Sequence, residues 1–450
     1  MLQLSTDIGQ RKHQRGAATL IVTMVLLFST SIIMLYLNRS LLFEQKTSAN
    51  QMRSTSALEM AEAGMEWATG MLDTPYDIDV NCAFLTTTNI SFRHKYVQTH
   101  WGDGSATSTN AAPATTTYPG CKINGNSWTC GCPNVPSSGS ATASLGSAVL
   151  PGFTIAFSAT TDPEAVRVIA TGCTAQAGAC TPASTGDSDA TASVTAILKL
   201  RPLVRSAPAA ALTCGTSCNI INASFSVQNQ DVTTGGILIN AGGAITQNGS
   251  KDNVSIPGQP IENAIVPNDT SLSALSSADP TCSNSSMFSA YFGSTIAQYA
   301  ASPMTKTISC SSASSCGAAL NPAYADGWRS FYFPIGFTWN NSAGVTLGSA
   351  TDPVTLVSAA GFNVNGTSTI YGVVFSNDAN LNDLGTGSST IRGALVSCAG
   401  FQSNGNGTII YDAGVLNGVR RSTGSMVRVP GSWTDRCSAS SANPPVISCN

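Results

Sequence analysis

The chain has 450 residues, of which only 10% are charged, and a formal net charge of −3. Globular domains ordinarily carry about a quarter of charged residues; here Gly, Ser, Thr, Asn and Ala fill the gap, which suits a secreted β-rich protein better than a cytosolic enzyme. The mild acidity excludes a general electrostatic attraction to nucleic acid, and no nucleic-acid partner is expected.

Residues 1–16 form a leader whose basic n-region (Arg11, Lys12, Arg15) ends in Gly16. Residues 17–37 are uncharged and apolar, and neither glycine nor proline interrupts 17–63. At 1.5 Å per residue the spacing predicts one helix over 17–74, with 17–72 about 80 Å long. The run at 17–37 is long enough to cross a bilayer core of about 30 Å. A cleaved secretory signal would have a shorter apolar run and a small-residue cleavage site, whereas this one leads to Asn38-Arg39. A plain anchor fits the run, with the basic end cytoplasmic and the bulk of the chain periplasmic. It does not account for the patterned segment beyond residue 37. Leu58, Ala61, Met65, Ala68 and Leu72 recur at 3-4-3-4 spacing and define one helix face. Glu59, Glu62 and Glu66 make an adjacent acidic stripe, and Asp73-Thr74-Pro75 stops the helix.

The pattern QRGAATLIVTMVLLF (Gln14–Phe28), followed by Asn38–Ala68 with its Ala61-Glu62-Ala63-Gly64 signature, resembles the PilX-type N-terminal segment of minor, pilin-like proteins of type IV pilus assembly. The resemblance covers about 60 of 450 residues. It implies cleavage after Gly16 by a prepilin peptidase, N-methylation of Ala17, and packing of Leu20, Ile21, Val22, Leu26 and Leu27 into a fibre core. It also implies other minor pilins and the major pilin as partners. The subunit would sit as a single-pass inner-membrane protein before assembly and in the extracellular fibre afterwards. One position departs from the pattern. Major pilins carry a glutamate at the fifth mature position, and here that place falls on Ile21 or Val22. A buried carboxylate must gain something from a neighbour to be tolerated. A subunit without one fits a minor role at or near the tip, where an adhesive function or an adhesin partner is one option. The alternative is a static inner-membrane protein with a periplasmic binding domain.

Roughly 375 residues lie beyond the helix, enough for two domains. Residues 75–147 read as irregular. The segments 152–159, 165–170 and 190–200 alternate apolar and polar residues as half-buried antiparallel strands do. With the helix they predict an α+β pilin-like unit over 75–205, its sheet packed on the C-terminal half of the helix. Residues 201–213 read as a linker, and 206–450 as a mainly β C-terminal domain.

All fourteen cysteines lie beyond the apolar run. Proximity suggests the pairs Cys173–Cys180, Cys214–Cys218, Cys310–Cys316 and Cys437–Cys449 as loop-closing disulfides. Cys121, Cys130 and Cys132 cluster, while Cys82, Cys282 and Cys398 have no evident local partner. A structural zinc site is opposed by the absence of C-x-x-C and by a supply of only His94 and His100 outside the leader.

The last hundred residues repeat. Leu356–Phe362 (LVSAAGF) returns as Leu395–Phe401 (LVSCAGF), and Thr369-Ile370 returns as Thr390-Ile391 and Thr408-Ile409. A unit near 20 residues predicts a short β-solenoid around 354–415, with two similar hairpins as the alternative. Phe331, Phe333, Ile335, Phe337 and Trp339 alternate as one buried strand face would, with Pro334 marking an edge strand. Asn377–Asp383 resembles a calcium loop only in part, lacking the turn glycine and the terminal glutamate. An anchored hydrolase acting on cell-wall polymer would need paired carboxylates on a solenoid face, where the repeats carry mainly Asn, Ser and Thr. The familiar nucleophile, phosphate-loop and zinc motifs are missing. The expectation is a non-enzymatic subunit without cofactor or resident metal.

Overall fold

The computed structural model describes residues 15–86, 91–97, 117–134, 141–146, 148–162, 164–176, 180, 190–221, 224–248, 252–278, 282, 286–341, 344–377, 387–403, 405–435, 437–439 and 447–449. Helix α1 (Arg15–Leu72) runs unbroken for 58 residues, about 87 Å at the standard rise. It stops where the Asp73 N–H falls back to the Thr69 and Gly70 carbonyls. The Thr74 hydroxyl bonds the Gly70 carbonyl at 2.9 Å, before Pro75 denies the chain another donor.

The C-terminal third of α1 lies on an antiparallel sheet. Its strands are β1 (Gly120–Asn124), β2 (Ser127–Gly131), β3 (Leu150–Ala159), β4 (Ala165–Gln176) and β5 (Thr191–Pro202). The hairpin β1–β2 lies inside the stretch read from sequence as irregular, and Cys121–Cys130 bridges it. Cys82–Cys132 ties the segment after α1 to the end of that hairpin. Ala57, Ala61, Met65, Ala68, Met71 and Leu72 are buried against Phe153, Ile155, Val168, Val194 and Leu198. Of the sequence-derived face Ala61, Met65, Ala68 and Leu72 are buried and Leu58 is half-buried, while Ala57, Gly64 and Met71 widen the buried face on one side.

Beyond β5 the chain winds into a parallel β-solenoid. One face stacks β6 (Leu212–Cys214), β7 (Ile239–Ala241), β8 (Ile265–Val266), β9 (Lys306–Thr307), β10 (Ser330–Phe333), β11 (Val354–Ser358), β12 (Thr369–Ser376) and β13 (Thr390–Ser397). The spatial order is β9-β10-β11-β12-β13-β6-β7-β8, all parallel. The last repeat, β13, therefore lies between its sequence neighbour β12 and the first coil, β6. A second face stacks Phe401–Ser403, Cys218–Ile220 and Ile245–Gln247, with Phe337–Asn341 beside Phe362–Gly366.

The repeat is a register. Thr369, Thr390 and Thr408 stand side by side, as do Gly372 and Gly393. Both glycines have φ in the left-handed half of the map, and a Cβ on either would strike the carbonyl of the strand below. The bend they allow lets one strand pass round a corner between faces. Ser358, Ser376 and Ser397 form a buried ladder whose hydroxyls hold the next turn, bonding the Ala360 and Gly400 carbonyls. Alternate strand residues face opposite apolar layers. Leu356, Val374 and Leu395 fill the lumen. Val357, Val373, Phe375 and Val396 meet Met287, Phe288, Phe292 and Tyr299 from the helices between residues 270 and 300. Burial on both sides accounts for the near-continuous apolar runs of these strands.

The aromatic run 331–339 is one more coil and not a single edge strand. Phe331, Phe333, Phe337 and Trp339 are buried in the lumen, but Pro334–Gly336 forms a corner and leaves Ile335 exposed. Strand β10 pairs on both sides, with β9 and β11. Residues 203–211 are packed rather than linker-like, with Val204, Ala210 and Ala211 buried. Cys282–Cys398 spans 116 residues and pins the helical excursion to the coil at which the two runs meet. Cys173–Cys180, Cys214–Cys218 and Cys310–Cys316 close short loops.

After the helix Ala413–Ser422 the chain leaves the solenoid. Strand β14 (Gly424–Arg428) joins the first sheet, antiparallel to β5, with Gly424 opposite Pro202. The unit drawn from sequence over 206–450 thus supplies the outer strand of the unit drawn over 75–205, and residues 203–423 form an insert between adjacent strands. Further on, Cys437 lies opposite Cys449 in a short antiparallel pair. The calcium-like loop falls, apart from Asn377, outside the described residues.

Candidate functional site: the N-terminal helix and its seat

The site is built on α1. Gly16 and Ala17 lie in its first turn, and the leader before Arg15 falls outside the described residues. Residues 18–55 are exposed throughout. Leu20, Ile21, Val22, Leu26 and Leu27 are 57–69% exposed, a large apolar surface that water does not stabilise. Among the described residues α1 is long and apolar enough to cross a membrane. Three hydroxyls within the run bond back along the helix: Thr23 to the Thr19 carbonyl at 3.0 Å, Ser29 to Val25 at 2.8 Å and Thr30 to Leu26 at 3.0 Å. These polar groups therefore carry no unmet demand into lipid or into a packed helix bundle. No carboxylate stands at Ile21 or Val22, and the first acid along the helix is Glu44.

The seat explains the small residues of the helix. A Cβ at Gly64 would lie 2.8 Å from the Phe153 ring, and one at Gly172 on β4 would lie 2.9 Å from the Met60 carbonyl carbon. Glycines on both elements, with Ala57, Ala61 and Ala68 between them, bring helix and sheet backbones together. The signature Ala61-Glu62-Ala63-Gly64 thus places a small inward pair beside an outward acid. Trp67 flanks the contact, 5.4 Å from Phe92 and 5.5 Å from Phe153 between ring centroids.

A polar clasp holds the helix end, and no sequence pattern points to it. The Asp73 carboxylate accepts the Met426 N–H at 2.6 Å, and the buried Arg93 guanidinium donates to the Gly424 carbonyl at 2.9 Å. Both bonds reach β14, the strand that returns from beyond the solenoid. Burial raises the Asp73 carboxyl above its ordinary value, against the pull of the Met426 N–H and Arg93. Burial lowers Arg93 to about 10, partly opposed by Asp73. Two turns back along α1, Arg428 donates to Glu66 at 2.6 Å on the surface. The helix stop at Asp73 is visible in the sequence, but its partners some 350 residues on are not.

Residues 15–66 match the family model described as PilX N-terminal. No curated protein and no solved structure matches the chain. The chain carries an N-terminal segment of the PilX type, and its support for a minor-pilin role rests on those residues.

Proposed function

We propose, on the premise that residues 15–66 are a PilX N-terminal segment, that this chain is a minor pilin-like subunit of a type IV pilus with a structural rather than catalytic role. One observation carries the reading: α1 is continuous from its bare apolar end to its seated end. Such a rod can leave lipid for a bundle of like helices without refolding the body attached to it. In this reading a prepilin peptidase cuts after Gly16, Ala17 becomes the methylated N-terminus, and Leu20, Ile21, Val22, Leu26 and Leu27 enter the fibre core. The partners are other minor pilins and the major pilin. The C-terminal body faces the periplasm before assembly and the exterior afterwards. The lack of an acid at Ile21 and Val22 supports a place at or near the tip, with the solenoid as the part presented to adhesins or surfaces. The register of Cys437 opposite Cys449 supports a further disulfide there.

Mass spectrometry of the N-terminus of the chain recovered from cells tests this. A mature chain beginning at methylated Ala17 is expected, present in the sheared fibre fraction. An intact leader with the chain confined to the inner membrane would reject the proposal in favour of a static anchored binding protein.

A further inference from the structure

The strand segments that precede the glycine corners have a lumen side and a solvent side. Leu347, Ile370, Ile391 and Ile409 fill the lumen, so the residues alternating with them point outward. Thr346, Thr369, Thr390 and Thr408 stand in register on four adjacent strands. Strands stack about 4.8 Å apart, so the four hydroxyls form a row about 14 Å long, parallel to the solenoid axis. Each of the four is exposed or half-buried, and none makes a side-chain hydrogen bond among the described residues. The row ends on the next strand, where the buried Ser226 hydroxyl donates to the Asp252 carbonyl. Two residues along, the neighbouring row reads Tyr371, Arg392 and Ile410. The Arg392 guanidinium lies 5.9 Å from the Tyr371 ring centroid and makes no ion pair among the described residues. No carboxylate occupies either row.

This combination narrows what can lie on the face. A protein partner is anchored by contiguous apolar side chains, and Ile410 is the sole aliphatic one in the two rows. A phosphodiester polymer carries a charge at every unit and needs several cations over such a length, where Arg392 stands alone. Free hydroxyls at constant spacing suit a linear polyol, whose own hydroxyls donate and accept in turn. The Tyr371 ring is a platform for the apolar side of a sugar ring, and Arg392 is a planar fork for a carboxylate. We propose that this outward face of the solenoid binds a linear acidic polysaccharide, its chain along the threonine row and one uronate carboxylate on Arg392. This inference rests on the reading above of the solenoid as the presented part, and adds the face and the ligand class.

The test uses the detergent-solubilised full chain on immobilised hyaluronate, alginate and polygalacturonate, each beside its carboxyl-reduced form. Saturable binding to at least one acidic polymer is expected, with its reduced form held about fivefold more weakly, the scale of one exposed charge pair. Arg392→Gln should lower affinity for the acidic form by the same factor and leave the reduced form unchanged. Thr369→Val combined with Thr390→Val should weaken both forms about tenfold, the scale of two lost hydrogen bonds, at the parent's melting temperature. Arg392→Gln alters only an outward side chain, so it keeps the test decisive should the valines disturb the stack. No binding to any of the three polymers, equal binding of the reduced forms, or equal binding of double-stranded DNA overturns the proposal. So does parental affinity in Arg392→Gln or in the folded double valine variant. The N-terminus of the chain recovered from cells is measured separately. Processing at Ala17 without polysaccharide binding rejects this ligand alone, whereas an intact leader rejects the fibre reading even where the face binds.

Discussion

Adding one methyl group at Gly172 tests how closely the rod sits on its sheet. A Cβ there would fall 2.9 Å from the Met60 carbonyl carbon and nearer still to the Ala57 oxygen and Ala61 nitrogen. Ordinary contact is about 3.5–4 Å, so helix and sheet must part by about 1 Å. Every obstructing atom is backbone, with no flexible side chain to yield, which puts the cost at the upper end of the overpacking range, about 3 kcal/mol. Alanine recovers about 0.4–1 kcal/mol by restricting the unfolded chain, leaving a net loss of about 2 kcal/mol. Gly70, on the exposed side of the same helix, provides the matched control, since nothing lies within 4 Å of a Cβ there. Gly70→Ala should stabilise by about 0.5 kcal/mol, part of the usual helix-interior value because the helix ends two residues on. Urea unfolding of the detergent-solubilised chain measures both, with Trp67 as reporter. A neutral or stabilising Gly172→Ala would refute the close seating of α1.

Burial, cross-linking and charge give three further expectations. Phe337 is buried in the lumen and stacks on Phe362 at 5.1 Å, so Phe337→Ser should cost about 4 kcal/mol; a melting temperature within a degree of the parent would contradict the lumen placement. Cys282–Cys398 closes 116 residues, and Cys398→Ser should cost roughly 3–5 kcal/mol by freeing the unfolded chain, read as greater proteolysis between residues 270 and 300. Lys199 bonds Asp162 at 2.7 Å, which holds that carboxyl below 3.8 and Lys199 above 10.5. The pair's contribution is therefore present between those values, fading as pH falls below 3.8 or rises above 10.5. Both groups are largely exposed, so Lys199→Met should lower stability at pH 7 by under about 1 kcal/mol, and by progressively less as pH falls below 3.8. A loss that does not shrink with falling pH would assign the effect to packing.

What could be read from the residues was whatever repeats over short range. The 3-4 spacing of Ala61, Met65, Ala68 and Leu72 found the seated face, because a helix maps sequence interval directly onto direction. The Leu-Val-Ser-x-Ala-Gly-Phe repeat found two coils, because stacked strands demand the same corner and the same lumen filler. It missed the coil at 212–220, where Cys214-Gly215-Thr216-Ser217-Cys218 makes the turn with a disulfide in place of the serine ladder. It missed the coil at 331–339, where a corner inside an alternating run looks like one straight strand. The β1–β2 hairpin was lost within a stretch of small polar residues, since its cross-link and not its hydrophobicity defines it. The Asp73 and Arg93 clasp was illegible on principle, for its partners are backbone groups on a strand that no local pattern connects to α1.

The position of the solenoid between two hydrogen-bonded neighbours, Pro202 and Gly424, gives the subunit a built-in order of completion. When the ribosome has delivered β5, the first sheet still shows a raw edge. The Met426 N–H that Asp73 accepts and the Gly424 carbonyl that Arg93 bonds have yet to be synthesised. Waiting costs little, because the entropy of closing so long an excursion grows only with the logarithm of its length. Any interruption of the insert, by contrast, leaves the membrane-held rod without its final clamp and exposes an unpaired strand to pairing or proteolysis. The inserted module thus acts as the proofreader of the unit that flanks it: only a polypeptide made through Arg428 can close the sheet edge and clasp the end of α1.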